Sequence, residues 1–284
     1  MFQTLIASKQ VAQLLGQTDL LIFDCRHDLL NHQLGLQAFQ AGHLPGAHFI
    51  EFEKQLSGNK QRADGSFAGR HPLPEREVFA QTMQNYGLTP QTQVVIYDGQ
   101  GGMYAARMWW MLRWLGHVKV AVLDGGIQAW QAAGYALSQE SARASQPATE
   151  PITIPPALVN YVDVAALLDN LQHGSLQVVD ARAPDRFRGE NESIDPVGGH
   201  IPGAINRFFK DNLQSDGLFK PAAQLRAEWQ SLLADPGSSV MQCGSGVTAC
   251  HNLLALEVAG LSGARLYPGS WSEWCSDANR PVAK

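Results

Sequence analysis

Two stretches of this chain occur twice. Phe23–Arg26 reads FDCR and Val179–Arg182 reads VDAR, while Gly42–Ala47 reads GHLPGA and Gly199–Ala204 reads GHIPGA. Order and spacing agree, so the chain is built from two related copies; the period is too long for a solenoid. A third match, VLDGGIQAW (Val122–Trp130) against LYPGSWSEW (Leu266–Trp274), falls at a shorter offset. The first half therefore holds extra residues, and the polar stretch EKQLSGNKQRADGSFAGRHPLP (Glu53–Pro74) is where they are expected. Between the copies, SQESARASQPATEPITIPP (Ser138–Pro156) is rich in Ser, Ala and Pro and reads as a linker. The expected organisation is a domain over 1–140, a linker over 141–156 and a second domain over 157–284.

Each half repeats one grammar, in which short β-branched runs end at a polar or glycine turn and lead into helical patterns. LLIFD, QVVIYD and VKVAVLD are the strand candidates of the first half, and LQVVD, SSVMQ and ARLY those of the second. Near-continuous apolar strands alternating with helices predict an α/β fold, with mainly parallel sheets flanked by helices. Such sheets bind ligands at the carboxyl ends of their strands. With 284 residues and 45% hydrophobic content, two cores are within reach.

The formal charge of −5 argues against nucleic acid or an anionic membrane surface as the main partner. No apolar run is long enough to span a bilayer, and MFQTLIASKQ does not read as a secretory signal. Cys25, Cys243, Cys250 and Cys275 form no C-x-x-C pair, so zinc and a dithiol switch have little support. Free thiols in a reducing, cytoplasmic setting are expected.

Cys243 follows the strand candidate SSVMQ and opens the turn CGSGVTA. Val247, Cys250, Leu254 and Val258 then recur at helical spacing, with Gly260 as the stop. Glycines in such a turn let backbone N–H groups converge into an anion nest, and the helix N-terminus adds positive potential. Both favour a thiolate, so Cys243 is the candidate nucleophile, with a buried cysteine in an ordinary turn as the alternative. The first copy has Asp98 at this place, followed by GQGGMYAAR. A nest there could hold the carboxylate, which makes one copy chemically competent and the other a scaffold.

Taken together, FDCR/VDAR, the two GHxPGA segments, MWWMLRWLGH (Met108–His117), LDGG (Leu123–Gly126) and CGSGVTA (Cys243–Ala249) resemble a two-domain sulfurtransferase of the rhodanese family over nearly the whole chain. The resemblance implies two tandem rhodanese-like domains, an inactive first and a catalytic second. It implies a persulfide on Cys243, cradled by the backbone of Gly244, Ser245, Gly246, Val247 and Thr248, and no cofactor or metal. The loop is similar to that of 3-mercaptopyruvate sulfurtransferases, since Gly244 and Ser245 are uncharged where thiosulfate-preferring relatives carry basic residues. Thiosulfate:cyanide sulfurtransfer is the runner-up. The implied partners are a small-molecule sulfur donor and a thiol, cyanide or thioredoxin-like acceptor. Arg186 matches the arginine that holds the donor anion. Some mercaptopyruvate enzymes carry a second arginine further on; this chain has Asp195 there, and Arg207 is the candidate in its place.

Among other residues, His43 and His200 occur in both copies and read as structural. Asp24–Arg26 and Asp180–Arg182 read as strand-end ion pairs. For His71, in GRHPLP, a place in the first half away from Cys243 is the preferred reading, with a reach to the active site as the alternative. Ala249 and Cys250 stand where a cysteine phosphatase needs its phosphate-binding arginine, which is strong evidence against that rival. A non-catalytic binding module stays open as the third reading.

Overall fold

A computed structural model describes residues 1–140, 142 and 154–284. The linker expected over 141–156 falls mostly outside the described residues. The chain forms two compact units. The first is made of Met1–Ser57, Pro74–Leu158 and Ser215–Leu218, and the second of Gly58–Leu73, Val159–Gln214 and Phe219–Lys284.

The first unit carries β1 (Leu5–Ile6), β2 (Leu20–Asp24), β3 (Ala47–Phe49), β4 (Gln93–Tyr97) and β5 (Val120–Leu123), in the order β1-β5-β4-β2-β3. Every pairing is parallel. The central strands are apolar throughout, as a sheet covered on both faces requires. Ile22, Val95, Tyr97, Ala121 and Leu123 pack into one core with Trp130. Trp109 and Trp110, on the helix Met103–Trp114, are fully buried.

The second unit carries β6 (Gln177–Asp180), β7 (Ile205–Asn206), β8 (Ser239–Gln242) and β9 (Arg265–Leu266), in the order β7-β6-β8-β9. These pairings are also all parallel. Tyr161 makes a further parallel bridge to Leu266, the place β1 holds beside β5. The six strand candidates of the sequence all fall on strands; β1, β3 and β7, of two or three residues each, do not announce themselves.

The duplication extends to side chains. Arg26 holds Asp24 and the Gly42 carbonyl (2.5 and 2.8 Å), and Arg182 holds Asp180 and the Gly199 carbonyl (2.6 and 2.7 Å). His43 stacks on Phe39 and bonds its carbonyl, and His200 does the same with Phe187. The paired histidines are thus committed to the backbone turn, and the paired Asp–Arg groups tie each strand end to its GHxPGA segment.

The residues assigned by sequence to 1–140 do not all stay in the first unit. Gly58–Leu73, within the stretch expected to hold the first half's extra residues, packs in the second unit. It closes on itself through Gly58 N–H to the Pro72 carbonyl (2.8 Å) and contains a turn bridged from Gln61 to Phe67. The second half has a matching turn, bridged from Leu213 to Phe219, whose tip Ser215–Leu218 belongs to the first unit.

Candidate active site

Cys243 is the first residue past β8, at the carboxyl edge of its sheet. The helix Thr248–Val258 begins five residues later. The turn between them is pinned from below. Cys243 N–H donates to Ser270 Oγ (3.1 Å), and the Cys243 and Gly244 carbonyls accept from Trp271 and Ser272 N–H (both 2.9 Å). Ser270 is the one described non-glycine residue with positive φ, at 55°. Gly246 has φ +75°, and a Cβ there would lie 2.5 Å from the Pro268 carbonyl oxygen. Glycine is required at this position both for the angle and for the close approach.

The first unit displays what this turn can do. Asp98 follows β4 as Cys243 follows β8, and the helix Met103–Trp114 also begins five residues on. The Asp98 carboxylate accepts N–H groups from Gln100, Gly102, Tyr104 and Ala105 at 2.8–3.1 Å. The anion nest expected from the sequence is present, filled by the chain's own side chain. Burial raises the Asp98 carboxyl above its ordinary range, and the four N–H groups work against that shift.

Ser245, the third residue of the turn, is hydrogen-bonded to His71 (Oγ to Nδ1, 2.8 Å). Both are buried, at 7% and 2% exposure. The preferred sequence reading for His71 is therefore overturned: it belongs to the second unit and stands at the cysteine turn. Arg70 enters with it. Its backbone N–H donates to Ser272 Oγ (3.0 Å), and its guanidinium pairs with Asp195 (2.8 and 3.3 Å). Arg186 lies on the same side of the turn: a Cβ at Gly244 would sit 3.2 Å from Arg70 Nη2 and 3.8–3.9 Å from the Arg186 guanidinium.

Asp195 thus pairs with arginine on both sides, 2.8 Å from Arg70 and 3.4 Å from Arg186. Arg186 also donates to Glu192 from Nε (3.1 Å) and from Nη2 to both carboxylate oxygens (2.8 and 2.9 Å). Burial works against the charge on Glu192, but Arg186 and the N–H groups of Ile194 and Asp195 hold it below the usual carboxylate range. Burial likewise opposes the charge on Arg182, and Asp180, Glu192 and Cys243 together raise its pKa. Its guanidinium lies 4.7 Å over the Trp271 ring.

Arg207 does not take the place expected of it. It pairs with Glu228 at 2.5 Å, donates to the Asp211 carbonyl and lies over Trp229. The second guanidinium at Gly244 is Arg70, which the sequence reading missed. Its one signal was that the surplus residues of the first half include it.

All four cysteines are free and buried. Burial, with Asp98 and Asp24, holds the Cys25 thiol well above its usual range. Burial, with Asp195, pushes Cys275 up to about 11. Cys250 donates to the Gly246 carbonyl within its own helix turn (3.3 Å). Among the described residues, the group able to offer three metal ligands is His27, His32 and Glu53, in the first unit. No helix of the described residues is long and apolar enough to cross a membrane.

The rhodanese-like domain model matches residues 7–133 and 163–277. A Pseudomonas aeruginosa protein named a probable 3-mercaptopyruvate sulfurtransferase is 46% identical, over 98% of this chain and 97% of that one. The mouse thiosulfate sulfurtransferase is 37% identical, over 83% of this chain and 78% of its own length. Among solved structures, 3-mercaptopyruvate sulfurtransferase from Leishmania major superposes with a TM-score of 0.85 at 29% identity, covering 99% of this chain and 76% of that one. Two domain matches, identity along the full length and the duplicated parallel sheets lead to one conclusion: the chain belongs to the rhodanese-like domain family.

Proposed function

We propose that this protein is a sulfurtransferase that moves sulfur from 3-mercaptopyruvate to a thiol or cyanide acceptor through a persulfide on Cys243. The observation that carries the reading is the cysteine at the head of a turn whose sister copy holds an anion on four backbone N–H groups. Placed in that turn, a thiolate or persulfide anion takes the position of the Asp98 carboxylate.

Arg186 takes the donor carboxylate, as a planar fork suits it. The Cys243 thiolate attacks the donor sulfur, the S–S bond forms and the carbon–sulfur bond breaks. The electron pair stays on carbon as the pyruvate enolate, which takes up a proton to give pyruvate. The hydrogen-bonded Ser245 and His71 stand beside the turn to deliver that proton. An acceptor thiolate or cyanide then attacks the outer sulfur and releases Cys243 as thiolate, which makes the reaction a two-step covalent transfer. The backbone of Gly244, Ser245, Gly246, Val247 and Thr248 stabilises the anionic sulfur, and no cofactor takes part. The free cysteines suit a reducing, cytoplasmic setting, with thioredoxin-like proteins among the acceptors. The boundaries of the catalytic domain, read from sequence as 157–284, extend in this reading to include 58–73.

The test is steady-state kinetics with mercaptopyruvate and thiosulfate side by side, with intact-mass analysis after donor treatment. One added sulfur, lost in Cys243→Ser, and a higher kcat/KM for mercaptopyruvate are expected. A preference for thiosulfate would favour the second reading, for which the similarity to the mouse enzyme is the supporting observation. No sulfur uptake from either donor would favour a binding module.

A further inference from the structure

The loop that leaves β2 in the first unit carries side chains that the sulfur chemistry does not use. His27 lies just past the strand end, and the Asp28 carboxylate accepts the N–H groups of Leu30 and Asn31 (2.9 and 2.8 Å). That turn leads to His32, which stands just before the helix Gln33–Ala41. It folds the two imidazoles back toward each other, with ring centroids 5.1 Å apart. Glu53, on the short helix Phe52–Gln55, completes the group. Its Oε1 lies 3.7 Å from His27 Nε2 and 3.9 Å from His32 Nε2. Both distances are longer than a direct hydrogen bond. Each of the three residues places one ligand atom within 4.8 Å of the other two.

We propose that His27, His32 and Glu53 bind a divalent transition-metal ion of the zinc type, which clasps the loop after β2 to the helix Phe52–Gln55. Two imidazole nitrogens and one carboxylate suit such an ion better than Ca2+ or Mg2+, which favour oxygen ligands. With bonds of about 2.0–2.1 Å, the ligand atoms of a tetrahedral site stand about 3.3 Å apart. His27 is the fixed ligand: its ring is buried, stacks on Phe52 and meets Tyr104 edge-on (5.0 and 5.1 Å). Its carbonyl accepts from Gln100 Nε2 (2.6 Å), and the Gln100 backbone N–H belongs to the Asp98 nest. His32 is the adjustable ligand, with a side chain 51% exposed, and it opens the site to solvent for entry of the ion and for a water as fourth ligand. Lys54, next to Glu53, is paired with Glu51 (2.7 Å). The second copy has Ala183 where the first has His27, so the fold itself does not demand an imidazole there. The group contains no cysteine, and the lack of a C-x-x-C pair has no bearing on it.

Zn2+ itself is the probe, titrated by calorimetry into full-length, untagged, chelator-stripped protein. Cys243→Ser is the background, because it removes the cysteine-turn thiol as a competing ligand. One Zn2+ per chain should bind with micromolar or tighter affinity and raise the Tm. Losing a ligand should cost at least as much as losing a partner behind one, so His32→Ala and Glu53→Gln should each weaken binding by about ten- to a hundredfold or more. The Tm rise should shrink accordingly. Co2+ in the same site should give visible bands of nitrogen and oxygen ligation, without a thiolate charge-transfer band, and His32→Ala should abolish them.

His32 is exposed, so His32→Ala decides the matter even if Glu53→Gln disturbs the fold. No binding up to millimolar Zn2+ would overturn the proposal and leave the three side chains as a histidine–carboxylate ion pair. Full affinity retained in His32→Ala would place the ion elsewhere and overturn it as well. Neither result depends on sulfur transfer, so the site stands or falls apart from the function proposed above.

Discussion

His71 Nδ1 lies 2.8 Å from Ser245 Oγ, although 174 residues separate the two in sequence. The contact is buried and joins a residue of the first half to the cysteine turn of the second. A buried hydrogen bond of this kind contributes about 0.5–1.5 kcal/mol, and a partner left unpaired costs about 1–3 kcal/mol. His71→Asn and Ser245→Ala should each lower kcat for mercaptopyruvate by about three- to a hundredfold. Because they share one contact, the double variant should be little worse than either single one. Fully additive losses in a double-mutant cycle would show that the two side chains act separately.

The four cysteines should differ sharply in reactivity. Cys25 is fully buried with its thiol held well above the usual range, and Cys275 is pushed up to about 11. A thiol that stays protonated is a poor nucleophile. Alkylation followed by peptide mapping near neutral pH should label Cys243 first. Cys25→Ser and Cys275→Ser should keep sulfur uptake, and Cys243→Ser should lose it. Retained persulfide in Cys243→Ser would move the reaction to another site.

Much of the site was legible because its chemistry is local. The glycine turn, the strand before it and the helix after it are contiguous, so spacing alone put Cys243 in a turn at a helix N-terminus, while the role of residues 244–248 came from the family resemblance. The duplication gave the Asp–Arg strand ends and the comparison with Asp98. What stayed hidden depends on the chain's return path. Arg70 and Asp195 are 125 residues apart, and no periodicity links them. Asp195 was legible only as an acidic residue where some relatives carry an arginine; that it pairs with Arg70 and Arg186 depends on the fold. Arg207 had the right charge and neighbourhood in sequence, but Glu228 holds it. The short edge strands β1 and β7, of two residues each, carry too little pattern to be read.

One ion pair adds to the contacts of Arg70 and His71 in seating the segment 58–73. Arg62 pairs with Glu273, whose side chain is 1% exposed while that of Arg62 is 39% exposed. Removing the arginine strands a buried carboxylate, whereas the arginine itself hydrates easily when released. Arg62→Ala should therefore destabilise the protein by about 1–3 kcal/mol, and Glu273→Gln by less. Since Arg70 and His71 belong to the same segment, Arg62→Ala should also raise KM for mercaptopyruvate. Denaturant unfolding combined with steady-state kinetics checks both. Lowered stability with unchanged KM would separate the anchor from the site.

Glu228 gives the acid limb of stability a specific contributor. Burial works against its charge, but hydrogen bonds from Arg207, Lys220 and Gln224 bring its pKa down to about 2, from an ordinary value of 4.5. A folded-state pKa below the unfolded one means that the unfolded chain binds the proton more readily. The contribution is therefore fully present above pH 4.5 and is lost as the pH falls toward 2. Glu228→Gln removes the titration. The stability gap between wild type and Glu228→Gln should be constant near neutral pH and shrink through that acid window. It should also narrow with added salt, because the carboxylate is partly exposed. Urea unfolding at a series of pH values measures the gap directly, and a gap that does not change between pH 4.5 and 2 would show that Glu228 keeps an ordinary pKa in the folded protein.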